Sequence, residues 1–264
     1  MESPAQKGAN WAFPALVRRF RTGTARLSFL ISYLMSFSEE LSALTAHPSP
    51  LVRRFMSLLE PVGDARLEAM AQESRRLTRL HFGRTIRLFA PIYLSNECIN
   101  NCKYCGFSRD NPIIRTTLTV DEVVQEARYL HGLGLRSILL VAGEHPKFVS
   151  DGYIQKCLDA LHPFIPSLGL EIGPLPDDRY AEIVHHGAEQ LAVYQETYDR
   201  EVYETLHTAG MKKNFNWRLD CPERAYQGGF RRIQIGALFG LAPWRREAVA
   251  PVSYTHLRAH ETPE

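Results

Sequence analysis

Residues 64–83, DARLEAMAQESRRLTRLHFG, bring Leu67, Met70, Ala71, Leu77 and Leu80 round at steps of three and four, and Gly83 stops the run. The same helical pattern starts near residue 38, so a helical N-terminal segment is expected over 35–83. The pattern then changes to short apolar runs separated by amphipathic stretches. Strands are expected at 86–94 (IRLFAPIYL), 136–143 (RSILLVAG), 168–175 (LGLEIGPL), 189–195 (EQLAVYQ) and 231–241 (RRIQIGALFGL). Helices are expected between them at 119–134, opened by Thr119; at 153–165; at 177–187, ended by Gly187; and over about 199–208.

Strands alternating with helices at this spacing imply repeated βα units and a parallel sheet, so the fold class is α/β. Polar residues sit at the C-terminal ends of the second and fourth strands, Gly143-Glu144 and Gln195-Glu196. A (β/α) TIM-type barrel places its chemistry at that edge. A full barrel takes about 250 residues, and only about 165 follow the helical lead-in, so an incomplete barrel is expected over 84–250. Its free strand edge and uncovered apolar surface would make the chain poorly soluble or inactive.

Both ends differ from this middle. Residues 1–34 carry Lys7, Arg18, Arg19, Arg21 and Arg26 against the single acid Glu2. An Arg-rich, acid-poor leader is one reading of them. The favoured reading is an upstream extension with the true start at Met35, where MSFSEELSAL begins an ordinary amphipathic helix. At the other end, SYTHLRAHETPE (253–264) has no apolar face at either period, within a tail expected over 251–264. It resembles the in-frame translation of a cloning or sequencing adapter, which would make it a non-native tail.

The net charge of +2 and the absence of a basic stripe exclude a nucleic-acid-binding signature. No apolar stretch reaches the ~20 residues of a membrane span. Five cysteines, three of them clustered, argue against a disulfide framework and for a reducing, cytoplasmic compartment.

The cluster is NECINNCKYCGFSRDN (96–111), in which Cys98, Cys102 and Cys105 are spaced CxxxCxxC. Structural zinc takes four closed ligands. A fourth would have to come from Cys157 or Cys221, expected to be partly buried on a helix and after a loop, or from His131 or His145. Three thiolates on one short polar loop instead suit a [4Fe–4S] cluster with one open iron. CxxxCxxC after the first strand, with the aromatic Tyr104 before the third cysteine, resembles the radical SAM superfamily. The strings YLSNECINNCKYCGFSRDN, LLVAGEH, VYQETY, FNWRLDCPERA and IQIGALFGL stand in the order and rough spacing of the 2-iminoacetate synthase family, over residues 35–250.

That resemblance implies a [4Fe–4S] cluster on Cys98, Cys102 and Cys105, and S-adenosyl-L-methionine as cofactor. It implies cleavage of the Cα–Cβ bond of L-tyrosine to p-cresol and 2-iminoacetate (dehydroglycine) for thiamine thiazole biosynthesis. The partners implied are thiazole synthase and a flavodoxin- or ferredoxin-type electron donor. Glu144 matches the position that accepts from the cofactor's amino group, against a plain helix-dipole carboxylate, and Tyr104 the adenine neighbour, against a core aromatic. Arg218 is a candidate clamp for the cofactor carboxylate, against a surface ion pair. Gln195 and Glu196 are candidates to face cofactor or substrate. Gly173 stands where the family often has a larger polar residue, so no ligand role is carried there. The family's substrate-carboxylate contacts lie in later strands, so no tyrosine-recognition residue is assigned. Two alternatives stay open: the tyrosine lyase of [FeFe]-hydrogenase maturation, and a zinc-stabilised binding module.

Overall fold

The structure, a computed structural model, describes residues 49–149 and 152–258. The leader, Met35 and residues 259–264 lie outside them. The chain divides into two compact units, Met1–Met56 and Ser57–Glu264. The described part of the first is most of helix α1 (Pro50–Ser57), in which Val52 and Met56 are buried.

The second unit begins with helix α2 (Asp64–Phe82), none of whose residues is buried. Five strands follow: β1 (Ala90–Ser95), β2 (Ser137–Ala142), β3 (Ser167–Glu171), β4 (Ala188–Ala192) and β5 (Arg232–Gln234). They form one parallel sheet in the order β1-β2-β3-β4-β5. Helices α3 (Val120–Gly132), α4 (Tyr153–Leu161) and α5 (Asp177–His185) fill the first three crossovers. The fourth is longer and carries α6 (Arg200–Leu206), a 3₁₀ turn (Met211–Lys213), α7 (Phe215–Leu219) and α8 (Cys221–Gln227); α9 (Trp244–Arg258) follows β5.

Register explains the core. Ile92, Leu140, Leu170, Leu191 and Ile233 lie side by side across the five strands. This row packs in one cluster with Val123 and Ala127 of α3, Leu158 and Leu161 of α4, and Ile183 of α5. Each fully buried leucine contributes about 1.5–3 kcal/mol by leaving water. Since strand side chains alternate between faces, the neighbouring positions Tyr93, Val141 and Glu171 fall on the opposite face. Thr119 opens α3 as expected: its hydroxyl accepts from the Glu122 N–H, and the Glu122 carboxylate accepts from the Thr119 N–H at 2.7 Å.

Several expectations are corrected. The first strand starts at Ala90, four residues late: pairing begins with Ala90 opposite Ile138, and β2, which starts at Ser137, offers nothing opposite 86–88. Ile86, Leu88 and Phe89 are exposed instead. The fifth strand shrinks to three residues, after which one further parallel bridge joins Glu196 to Ala237. Helices α7, α8 and α9 were not foreseen in the sequence. Asn214 caps α7 by accepting from the Trp217 N–H at 3.0 Å, and Pro222 sits in the first turn of α8. Helix α9 runs across residue 250, with Pro251 inside it. Its buried Glu247 accepts from the Thr197 hydroxyl at 2.9 Å and the Tyr198 N–H at 3.0 Å, fixing the loop after β4.

Candidate functional site

The segments that follow β1 to β4 at their C-terminal ends converge on a cavity of about 240 Å³. Cys98, Cys102 and Cys105 all open onto it, together with Tyr104, Glu144, Glu196 and Arg218. Seven of the eight residues proposed from sequence therefore share one space. Gln195 does not line it. Tyr194 and Glu196 do, on either side of it. Gln195 is buried, its amide nitrogen donating to the Phe215 carbonyl at 3.3 Å.

The cysteine loop has no regular structure, yet its carbonyls are gathered by one side chain. The Arg115 guanidinium donates to the carbonyls of Asn96 (2.7 Å), Phe107 (2.9 Å), Ser108 (2.6 Å), Arg109 (3.3 Å) and Asn111 (3.2 Å). Its other flank lies against the segment after α6. Lys103 N–H donates to Leu206 O at 3.1 Å, Thr208 N–H to Asn101 O at 3.1 Å, and Cys102 bridges His207. Behind the loop, Gly143 approaches so closely that a Cβ there would lie 2.3 Å from the Glu97 carbonyl oxygen. Glycine is required at that crossing.

Tyr104 is fixed by His207. The His207 Nδ1 faces the Tyr203 carbonyl at 2.8 Å, and a carbonyl only accepts, so Nδ1 carries the proton. Burial pushes the His207 pKa down to about 4, which keeps the ring neutral and leaves Nε2 to accept from the Tyr104 hydroxyl at 2.7 Å. Burial raises the Tyr104 hydroxyl pKa far above its ordinary value, with Glu196 adding to the shift, so the phenol stays a donor.

Two cations face the thiols. Lys212 pairs with Glu196 at 2.7 Å, the side chains 12% and 15% exposed. Arg218 is buried and spends its Nε on the Tyr194 carbonyl at 2.7 Å. It is the cavity-facing cation of the sequence reading, not a surface ion pair. Burial raises the Cys102 thiol to about 11; Lys212 and then Arg218 pull it down, while Cys105 and Cys98 push it up. Glu196 itself stands in the left-handed backbone region, with φ 73°. For a non-glycine residue that conformation costs about 1–3 kcal/mol and persists only where its surroundings enforce it.

Lys212, Tyr194 and Glu171 are among the lining residues that went unforeseen. Lys212 lies in an unpatterned loop, and Tyr194 was passed over inside the fourth predicted strand. Glu171 ends β3 at the same edge as Glu144, and that shared edge was the available signal. The alternative ligands do not join the site. Cys157 and Cys221 are wholly buried, Cys221 at the start of α8 with its sulfur 2.9 Å from the Tyr180 hydroxyl. His131 packs on Phe164, and His145 on Phe148.

Among the described residues, no three His, Cys, Asp or Glu side chains converge as ligands of a single metal ion. A cubane makes a different demand, because each thiolate binds a different iron and the sulfurs must be spread around the cluster instead of converging on one point. Three cysteines opening on one cavity, faced by two cations and with no fourth thiol on the wall, fit that demand.

Comparison with known proteins agrees. The family model described as the radical SAM superfamily matches residues 92–249. The chain belongs to the radical SAM superfamily. As a radical SAM protein it uses a [4Fe–4S] cluster and S-adenosylmethionine. It is 42% identical over 191 residues to the 2-iminoacetate synthase of Escherichia coli (strain K12), covering 72% of this chain and 51% of that protein. It is 29% identical over 194 residues to the 3-methylornithine synthase of Methanosarcina barkeri (strain Fusaro / DSM 804), covering 72% and 53%. Among solved structures, the FeFe-hydrogenase maturase HydG from Carboxydothermus hydrogenoformans superposes with a TM-score of 0.74 at 29% identity, covering 87% of this chain and 58% of that one. The chain spans about half the length of the curated relatives it matches. No helix among the described residues is long and apolar enough to cross a membrane.

Proposed function

We propose that this chain carries the cofactor-binding part of a 2-iminoacetate synthase, which cleaves the Cα–Cβ bond of L-tyrosine to 2-iminoacetate and p-cresol. The observation that carries this reading is the cavity itself, onto which a CxxxCxxC loop, Tyr104, Glu144 and Arg218 all open in a chain 42% identical to a 2-iminoacetate synthase. The likeness to the hydrogenase maturase is lower in identity, at 29%, so the thiamine-type lyase is preferred.

Cys98, Cys102 and Cys105 would hold the cluster as thiolates. When bound there, the cluster would supply the electron for reductive cleavage of S-adenosylmethionine, the chemistry that starts radical attack on tyrosine. Lys212 and Arg218 favour the thiolates by their charge. Glu144 would accept from the cofactor's amino group, and Arg218 would offer its terminal amino groups to the cofactor carboxylate. Tyr104, its hydroxyl tied to His207, would stand beside the adenine. Glu196 lies within reach of either ligand. The electron comes from a flavodoxin- or ferredoxin-type donor, thiazole synthase consumes the 2-iminoacetate, and the setting is cytoplasmic.

Anaerobic reconstitution with iron and sulfide tests the reading. The expected product is a brown protein with about four irons per chain that forms 5′-deoxyadenosine with S-adenosylmethionine and dithionite. A colourless protein with one zinc, or 5′-deoxyadenosine formation stimulated by other amino acids and not by tyrosine, overturns it.

A further inference from the structure

We infer that Asn100 is a positioning residue that orients the Glu144 carboxylate toward the cofactor's amino group, an inference that rests on the role of Glu144 proposed above. Asn100 lies between Cys98 and Cys102 and is buried, 3% exposed. Both ends of its amide are committed. Oδ1 accepts from the Lys212 backbone N–H at 2.9 Å, and Nδ2 donates to Glu144 Oε2 at 2.7 Å. A backbone N–H only donates and a carboxylate only accepts, so the amide can stand in one orientation alone. Its backbone is pinned as well. The Asn100 carbonyl accepts from Arg109 N–H at 2.8 Å, and the preceding Ile99 N–H donates to the Glu144 carbonyl at 2.8 Å.

The partner Asn100 offers is neutral, and this gives the contact its function. Glu144 forms no ion pair among the described residues, so its negative charge is oriented without being cancelled. Oε2 is held by the amide, and Oε1 remains as the uncommitted acceptor. A lysine at position 100 would neutralise the carboxylate, and an aspartate would repel it. Gly210 leaves room for the amide on the other side, since any Cβ there would collide with Asn100 Oδ1. The cysteine loop thus sets the acceptor geometry of a residue 44 positions away, coupling the cluster's position to that of the amino group.

The test is a comparison of two ligands: S-adenosylmethionine and its deaminated analogue, which keeps the carboxylate and sulfonium. Reconstituted wild type, Asn100→Asp, Asn100→Ala and Glu144→Gln are compared by dissociation constant, iron content and the EPR spectrum of the reduced, cofactor-free cluster. Both Asn100 variants should bind S-adenosylmethionine about ten-fold more weakly or worse, the scale of one charge-assisted hydrogen bond. Their affinity for the analogue should change less than two-fold, with iron content and cofactor-free spectrum unaltered. Equal weakening toward both ligands, or loss of iron in both variants, would mean that Asn100 only builds the loop, and overturns the inference. Wild type that does not discriminate between the ligands removes the Glu144 assignment itself. If Glu144→Gln abolishes discrimination while both Asn100 variants keep it, the inference alone falls.

Discussion

The cysteine loop and helix α2 invert the usual relation between regular structure and anchoring. Helix α2 is nineteen residues of unbroken helix with an apolar periodicity, yet none of its residues is buried. The loop from 96 to 115 has almost no regular structure, yet Asn100, Cys102 and Ser108 are buried and its carbonyls are gathered on Arg115. A helix satisfies its backbone internally and so can stand with little tertiary support. A loop must find a partner for each buried polar group elsewhere, and those partners hold it to the sheet and to the segment after α6. Hydrophobic periodicity therefore located the helix but said nothing about how firmly either region is held.

The sharpest break of this comparison comes at the thiols. Replacing Cys98, Cys102 or Cys105 with alanine should take iron content after reconstitution from about four per chain to below one, whereas Cys157→Ala should retain it. Next comes Arg115→Ala, which strands several carbonyls at once. Loss of about 3 kcal/mol in denaturant unfolding is expected, with poor iron loading even though all three cysteines remain. If Arg115→Ala loads and unfolds like wild type, the loop is not held by its carbonyl contacts. Gly210→Ala combines a φ of 75° with a Cβ too close to Asn100, and should cost about 2 kcal/mol. At the other pole, Leu80→Lys on exposed α2 should stay within about 0.5 kcal/mol. A larger loss there would show that the helix is covered after all.

The same contrast explains what the sequence disclosed. Strands β1 to β4 and helices α3 to α5 were legible because burial on one face imposes a period on them. Residues 86–89 misled because Ile86, Leu88 and Phe89 are apolar yet lie ahead of the first paired residue, Ala90. The cysteines, Tyr104, Glu144, Glu196 and Arg218 were found through motif and family likeness. Gln195 was included because a strand end looks alike on both faces until the register is known. Lys212, His207 and Asn100 act through hydrogen bonds to residues far away in the chain, and no local pattern encodes such contacts. Helices α7 and α8 are too short to show a period, although Asn214 and Pro222 marked where each begins.

The ribbon between the cysteine loop and the segment after α6 has a consequence for the order in which the protein is made. Asn101 and Thr208 are 107 positions apart. At ribosomal rates of about 5–20 residues per second, roughly five to twenty seconds separate the appearance of the third cysteine from that of its backstop. During that interval the thiols are present on a nascent chain without the segment that shapes their loop. Cluster insertion on the native geometry must therefore follow synthesis of residues 206–212, which makes it a late event in the maturation of the domain.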